Sequence, residues 1–195
     1  MPDFARSDDD LLPLKVVIAG GFGVGKTTLV DAVSEIAPLT TEATLTVASQ
    51  RIDSLDGVEA KSTTTVAMDF GRITLADRGI VLLLFGTPGQ ERFWFMWDDL
   101  VLNALGAVVM ADTRRLLDCF GAVEYFEQRN IPFLIAVNEF DCAFRYDSDE
   151  VRDALDLPSD VPVLLCDARE KPSALRILIA LIEHALRRAL AASTT

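Results

Sequence analysis

The chain has 195 residues, half of them hydrophobic, enough for one domain with a full core. A net charge of −12 argues against nucleic acid or an anionic membrane surface as partner, and reads as acidity that keeps the protein dissolved. Three scattered cysteines, Cys119, Cys142 and Cys166, fit reduced thiols better than a disulfide framework or a zinc site. No stretch is apolar for long enough to span a bilayer, and neither Pro2 nor the end Ala-Ser-Thr-Thr offers a lipidation site. The expected organisation is a flexible acidic segment at 1–13, one domain at 14–190 and a short tail at 191–195.

In chain order, the apolar run Lys15–Ala19 is expected as a buried strand. It leads into Gly20-Gly-Phe-Gly-Val-Gly-Lys-Thr27, the G-x-x-x-x-G-K-[ST] spacing, and a helix is expected from Lys26 to Ile36. Strand–loop–helix is the setting in which such a loop wraps phosphates. Backbone N–H groups turn inward, the lysine adds a point charge, and the threonine hydroxyl can ligate Mg²⁺. Gly20, Gly23, Val24, Gly25, Lys26, Thr27 and Thr28 are the candidate phosphate-binding residues. The segment Pro38–Thr64 reads as a long polar connection, of the kind that is usually functional or mobile.

Strands are expected at Thr65–Ile73 and Ile80–Phe85, joined by the turn Thr74–Gly79 and therefore antiparallel. Then follow a helix at Phe95–Ala104, a strand at Ala107–Ala111, a helix at Leu116–Gln128 and a strand at Phe133–Val137. A helix at Ser148–Leu155, a strand at Val161–Leu165 and a helix at Ser173–Ala191 complete the chain. In the last helix Leu175, Ile179, Ile182, Leu186 and Leu190 form a stripe expected to dock on the sheet, and His184 reads as solvated or capping. The fold class is α/β: a six-stranded, mostly parallel sheet with one antiparallel strand and helices on both faces. Ligands of such sheets sit beyond the strands' carboxyl ends.

Four further segments point to that edge. They are Thr63-Thr-Thr-Val-Ala-Met-Asp-Phe70, Gly86-Thr-Pro-Gly-Gln-Glu-Arg-Phe93, Asn138-Glu-Phe-Asp141 and Cys166-Asp-Ala-Arg169. In this order around a phosphate loop, the chain resembles the Ras-like small GTPases from Leu14 to about Leu190. Within them it is most similar to the actinobacterial conservon GTPases and the bacterial gliding-motility (Mgl-type) GTPases. The resemblance rests on the phosphate loop through Thr28, on Thr63–Arg72 and on Thr87-Pro-Gly-Gln-Glu-Arg-Phe-Trp-Phe-Met-Trp97. It implies a Ras-like G domain that binds GTP and GDP with Mg²⁺, hydrolyses GTP slowly and works in a bacterial cytoplasm. It also implies a roadblock-fold regulator and a histidine-kinase-like sensor as partners, with any membrane recruitment supplied by a partner.

Asp141 fits a two-site acceptor for the guanine N1–H and amino group, Asn138 a brace between loops, and the Ala168 N–H a donor to the guanine oxygen. Thr65, with Thr63 and Thr64 as adjacent alternatives, matches the switch threonine that ligates Mg²⁺, Gln90 the residue that orients the attacking water, and Gly89 an N–H donor to the γ-phosphate. The catalytic candidates are Gln90 and Lys26; the metal candidates are Thr27, Thr65 and Asp69. An ATP-using P-loop enzyme and a nucleotide-binding scaffold without turnover are the alternatives.

Several residues depart from the resemblance. Glu139 stands where the family has lysine, and Gly86 where it has the acid behind the metal. Counting outward from the turn at Asp77-Arg78 sets Asp69 opposite Gly86, so Asp69 could supply that carboxylate from the neighbouring strand. Phe22 either obstructs an incoming arginine or packs away from the phosphates. Arg51, Arg72 and Arg92 are candidates for an internal arginine finger, each also readable as a solvated charge. Phe93-Trp-Phe-Met-Trp97 cannot all face a core from one helix, and is read as a partner-docking surface with Asp98 and Asp99 as its rim.

Overall fold

All six expected strands form, and a seventh joins them. The computed structural model describes residues 11–37, 39–46, 63–89, 91–141 and 143–193. Its strands are β1 (Leu12–Gly20), β2 (Leu39–Thr46), β3 (Thr63–Leu75), β4 (Ile80–Gly86), β5 (Ala104–Ala111), β6 (Phe133–Asn138) and β7 (Val163–Cys166). They lie side by side in the order β2-β3-β4-β1-β5-β6-β7. Pairing is parallel from β4 across to β7 and antiparallel on both sides of β3, so β3 is the strand that runs against the rest. The additional strand β2 falls in the segment expected as a loop. Its alternating Thr-Glu-Ala-Thr sequence lacks the apolar run that marks the central strands, and it is held at the sheet edge by pairing with β3 alone.

The β3–β4 connection is a short 3-10 turn at Ala76–Arg78, closed by Gly79 in the left-handed region (φ 66°). Its register pairs Leu75 with Ile80 and, further out, Asp69 with Gly86, as counted from sequence. Residues Thr63–Met68 pair with β2 and not with β4, so the β2–β3 ribbon projects past the carboxyl edge of the sheet.

Among the described residues five α-helices cover the faces: α1 (Lys26–Val33), α2 (Trp97–Val101), α3 (Phe120–Gln128), α4 (Ser148–Ala154) and α5 (Lys171–Ala192). Alternate residues of the central strands face opposite sides. Val16, Ile18, Leu84, Val108 and Met110 pack against α1 and α5, through Leu29, Val30, Ile177 and Leu181. Val17, Ala19, Val109, Ala111 and Ile135 pack against α2, α3 and α4, through Trp97, Val123, Phe126 and Val151. The continuous apolar runs of β1, β5 and β6 are the signature of strands covered on both sides.

Two expectations for α5 are corrected. The stripe docked on the sheet is Ala174, Ile177, Leu178, Leu181 and Ala185, whereas Ile179, Leu186 and Leu190 are exposed. The helix has apolar residues on two faces, and periodicity cannot say which one a sheet takes. His184 lies on the buried face, 2% exposed, with no partner for Nε2 among the described residues. Burial and the nearby Arg188 hold its pKa below the ordinary histidine value. Helix boundaries differ too. The expected helix at 95–104 is a 3-10 turn at Glu91–Met96 followed by α2, and Asn103 breaks it with φ 60°. No helix among the described residues is long and apolar enough to cross a membrane.

Candidate functional site

The loop between β1 and α1 sits at the carboxyl edge of the sheet's middle strand, flanked by the ends of β4 and β5. Gly25 caps α1 from the left-handed region (φ 104°), and a Cβ there would lie 2.6 Å from Asn138 Nδ2. Both facts require glycine at this position. Asn138 ties two loops to this one. Its Nδ2 donates to Val24 O at 3.0 Å, and its Oδ1 accepts from the Ala168 N–H at 3.1 Å. Asn138 therefore links the loops after β1 and β7 through one side chain. The Ala168 N–H, expected to face a guanine oxygen, is engaged by that brace.

Lys26 is 8% exposed and donates to the carbonyls of Gly20 (3.0 Å) and Gly21 (2.7 Å). Burial lowers its pKa to about 8, against the opposing pull of the Asp69 carboxylate. A cavity of about 300 Å³ opens over the loop, floored by Phe22, Gly23, Gly25 and Lys26–Thr28 and walled by Thr87, Pro88 and Gly89. A Cβ on Gly89 would sit 2.8 Å from Lys26 Nζ, so glycine is what lets this wall close on the lysine. Thr87 Oγ1 is buried beside the cavity without a partner among the described residues. Such a hydroxyl is usually satisfied by a ligand or water. Phe22 does not pack away: its ring is 68% exposed and lines the cavity mouth.

Asp69 reaches the loop from β3. Its Oδ2 accepts a 2.7 Å hydrogen bond from Thr27 Oγ1, and the residue is 8% exposed. A Cβ on Gly86 would lie 3.0 Å from both Asp69 Cβ and Oδ2. The carboxylate thus occupies the space that a side chain at 86 would take. A hydroxyl and a carboxylate side by side are hard oxygen donors and fit Mg²⁺, which is held by one or two carboxylates together with phosphate oxygens. Among the described residues no three acids, histidines or cysteines converge to hold an ion by themselves. Arg72, a candidate arginine finger, pairs with Glu35 at 3.3 Å and is not among the residues that line the cavity.

Thr65 is not brought to Thr27. Its backbone pairs with Thr44 in the projecting ribbon, four residues and about 13 Å along β3 from Asp69. Gln90, Arg51 and Cys142 lie outside the described residues, as does the side chain of Arg92. So do residues 1–10 of the acidic segment and the last two of the tail.

At the base side, Asp141 is held by an arginine that sequence reasoning passed over. Arg169 Nη1 and Nη2 each stand 3.1 Å from one Asp141 oxygen, while Nε and Nη2 hold Asp167 at 2.7–3.2 Å. The guanidinium holds the Asp141 carboxyl below the usual carboxylate range, and Asp141 remains 77% exposed. A base reading Asp141 must displace that contact, and an exposed ion pair of this kind yields at a cost of roughly 0–1 kcal/mol. Glu139 pairs with Arg145 at 3.5 Å. Arg115 was missed as well: its Nη2 donates to Phe22 O at 2.8 Å and fastens the loop from the α3 side. Nothing local in the sequence marks Arg115, because the contact spans 93 residues.

The aromatic segment divides. Trp97 is 1% exposed and packs in the core against Tyr125 and Phe126, so it is not a docking residue. Trp94 is half-buried, tilted against Trp97 with ring centroids 5.3 Å apart and seated over Gly121, where a Cβ would collide with its ring. Phe95 is exposed. Asp98 bonds Tyr125 (2.7 Å) and Arg129 (2.8 Å), which ties α2 to α3.

A parallel sheet reversed at one strand, a phosphate loop at its centre and base-side loops after β6 and β7 define a Ras-like G-domain fold. The chain belongs to the family described as conserved hypothetical ATP binding proteins, which matches residues 18–188. It is 32% identical over 130 residues to an uncharacterized protein of Methanocaldococcus jannaschii, covering 66% of this chain and 71% of that one. It is 26% identical over 142 residues to the Ras-related protein Rab-32C of Dictyostelium discoideum, covering 68% of this chain and 54% of that one. Among solved structures it resembles the FeoB G domain of Methanococcus jannaschii, with a TM-score of 0.61, 16% identity and coverage of 90% and 99%. GDP form I of the T. maritima FeoB cytosolic domain gives 0.63, 19% identity and coverage of 90% and 64%. The chain thus spans about half of Rab-32C and two thirds or less of the longer FeoB chain.

Proposed function

We propose that the protein is a guanine-nucleotide switch: it binds GTP and GDP with Mg²⁺, hydrolyses GTP slowly and changes the segments around Thr65 and Gln90 between the two forms. The observation that carries this reading is the Thr27–Asp69 contact beside Lys26 at the mouth of the phosphate loop. Mg²⁺ would neutralise phosphate charge there, with Thr27 and Asp69 as its protein partners and Thr65 as a further ligand once the β2–β3 ribbon rearranges. Lys26 would donate to the outer phosphates, Gly89 N–H to the γ-phosphate, and Asn138 would keep the base-side loops in place. Hydrolysis is expected to be slow, because no described arginine side chain lines the cavity and Arg115, beside the loop, is engaged by Phe22 O.

Asp141 favours guanine, since adenine lacks its paired donors. The family's description favours ATP instead, so base choice is the point to measure. Asp141→Asn offers a donor to a donor and should reduce the GTP-over-ATP preference in a competition titration by roughly 5- to 150-fold, from ~1–3 kcal/mol for an unpaired group. An unaltered preference would remove Asp141 from base reading. Gln90→Leu should slow single-turnover hydrolysis at least about tenfold with little change in GTP affinity, because water orientation acts in the transition state. Equal rates in mutant and parent would favour a scaffold without Gln90-assisted turnover. The exposed Phe95 beside Trp94 is the proposed partner-docking surface; a roadblock-fold regulator and a histidine-kinase-like sensor remain the proposed partners, in a bacterial cytoplasm.

A further inference from the structure

The outward face of α5 is used by nothing described above. Ile179 and Leu186 are 50% and 54% exposed, and Leu175 and Ile182 lie half-buried between them and the core. Scattered single apolar residues on a surface are ordinary. Four on one face of a 22-residue helix, in addition to the stripe that docks on the sheet, are more than a surface helix needs.

Their spacing is four, three and four residues, the seam spacing of paired helices. It reads the same from either end of the helix. An antiparallel second copy would therefore set Leu175 against Leu186 of the other helix, and Ile179 against Ile182, twice over. The bordering charges agree with that direction. Arg176 and Glu183 each follow a seam residue, both are exposed, and they lie on the same edge. Antiparallel pairing brings Arg176 of one copy beside Glu183 of the other, at both ends of the contact. A parallel copy would instead bring Lys171 against Arg176, with like charges. The chain's −12 is not concentrated here, since α5 carries Lys171, Arg176, Arg187 and Arg188 against the single acid Glu183.

We propose that this face of α5 is a two-fold, isologous interface with a second copy of the same chain. Seam and charges both read onto themselves, which a foreign partner would not require. With four apolar side chains per copy the dimer is weak, with Kd of roughly 1–100 μM.

Sedimentation velocity of the full chain over a concentration series tests it. The parent should shift from monomer to dimer. Ile179→Glu with Leu186→Glu should stay monomeric at every concentration, with its thermal midpoint little changed because both positions are exposed. Arg176→Glu should weaken the dimer roughly tenfold, turning two attractions into two repulsions, and Arg176→Glu with Glu183→Arg should restore it. A parent that stays monomeric to about 100 μM overturns the proposal. So does a dimer that persists in the double glutamate variant, or a charge swap that fails to rescue Arg176→Glu.

Discussion

Lys26→Ala should lower GDP and GTP affinity by about thirtyfold or more, since truncating a buried charged partner costs roughly 2–5 kcal/mol. The fold should survive the change. The lysine stem lies at the edge of the sheet, and its ammonium bonds only the loop's own carbonyls, Gly20 O and Gly21 O. Lys26 lines a cavity of about 300 Å³, so water can follow into the space its side chain leaves and meet those carbonyls. Isothermal titration with GDP, together with a thermal melt, separates the two effects. Lost binding with a cooperative melt supports the phosphate-loop assignment. Unchanged affinity in a folded variant would contradict it.

Asp69→Ala should weaken GTP binding at saturating Mg²⁺ by roughly tenfold to a hundredfold, in line with ~1.5–3 kcal/mol for a charge-assisted hydrogen bond. Binding measured in chelator should change far less. The reason is geometric: one carboxylate serves the Thr27 hydroxyl, and it comes from β3 because Gly86 leaves room for it. The same geometry predicts a rescue. Asp69→Ala with Gly86→Asp moves the acid one strand across, to the position paired with residue 69, and should recover part of the Mg²⁺ dependence. Gly86→Asp alone should be worse than either, because two carboxylates would crowd one site. Equal Mg²⁺ dependence in parent and Asp69→Ala would show that the carboxylate only orders Thr27.

Much of this architecture was legible in the sequence, and the reasons differ from element to element. The central strands were legible because burial on both faces leaves an unbroken apolar run. The Asp69–Gly86 pairing was legible because a short turn fixes register, and register fixes which side chains share a face. Strand β2 was not, since an edge strand of threonines carries no apolar signal and is held by its neighbour's backbone. The docked face of α5 was misread because two apolar stripes share that helix, and only packing chooses between them. Trp97 looked like a surface residue for a related reason. Periodicity reads the aromatic run as one helix, whereas a 3-10 turn precedes α2 and rotates Trp97 inward while Phe95 stays out. Arg169 stood in a segment already singled out, but its hold on Asp141 depends on two loops meeting, 28 residues apart in sequence.

The most direct test of the account is a displacement titration on the purified full chain. A fluorescent GDP analogue is competed off by unlabelled GDP or ADP, in Mg²⁺ and again in chelator. The account predicts displacement by GDP at much lower concentration than by ADP, and tighter GTP binding with Mg²⁺ than without. Equal or better displacement by ADP would contradict the guanine reading and favour the adenine nucleotide named in the family's description.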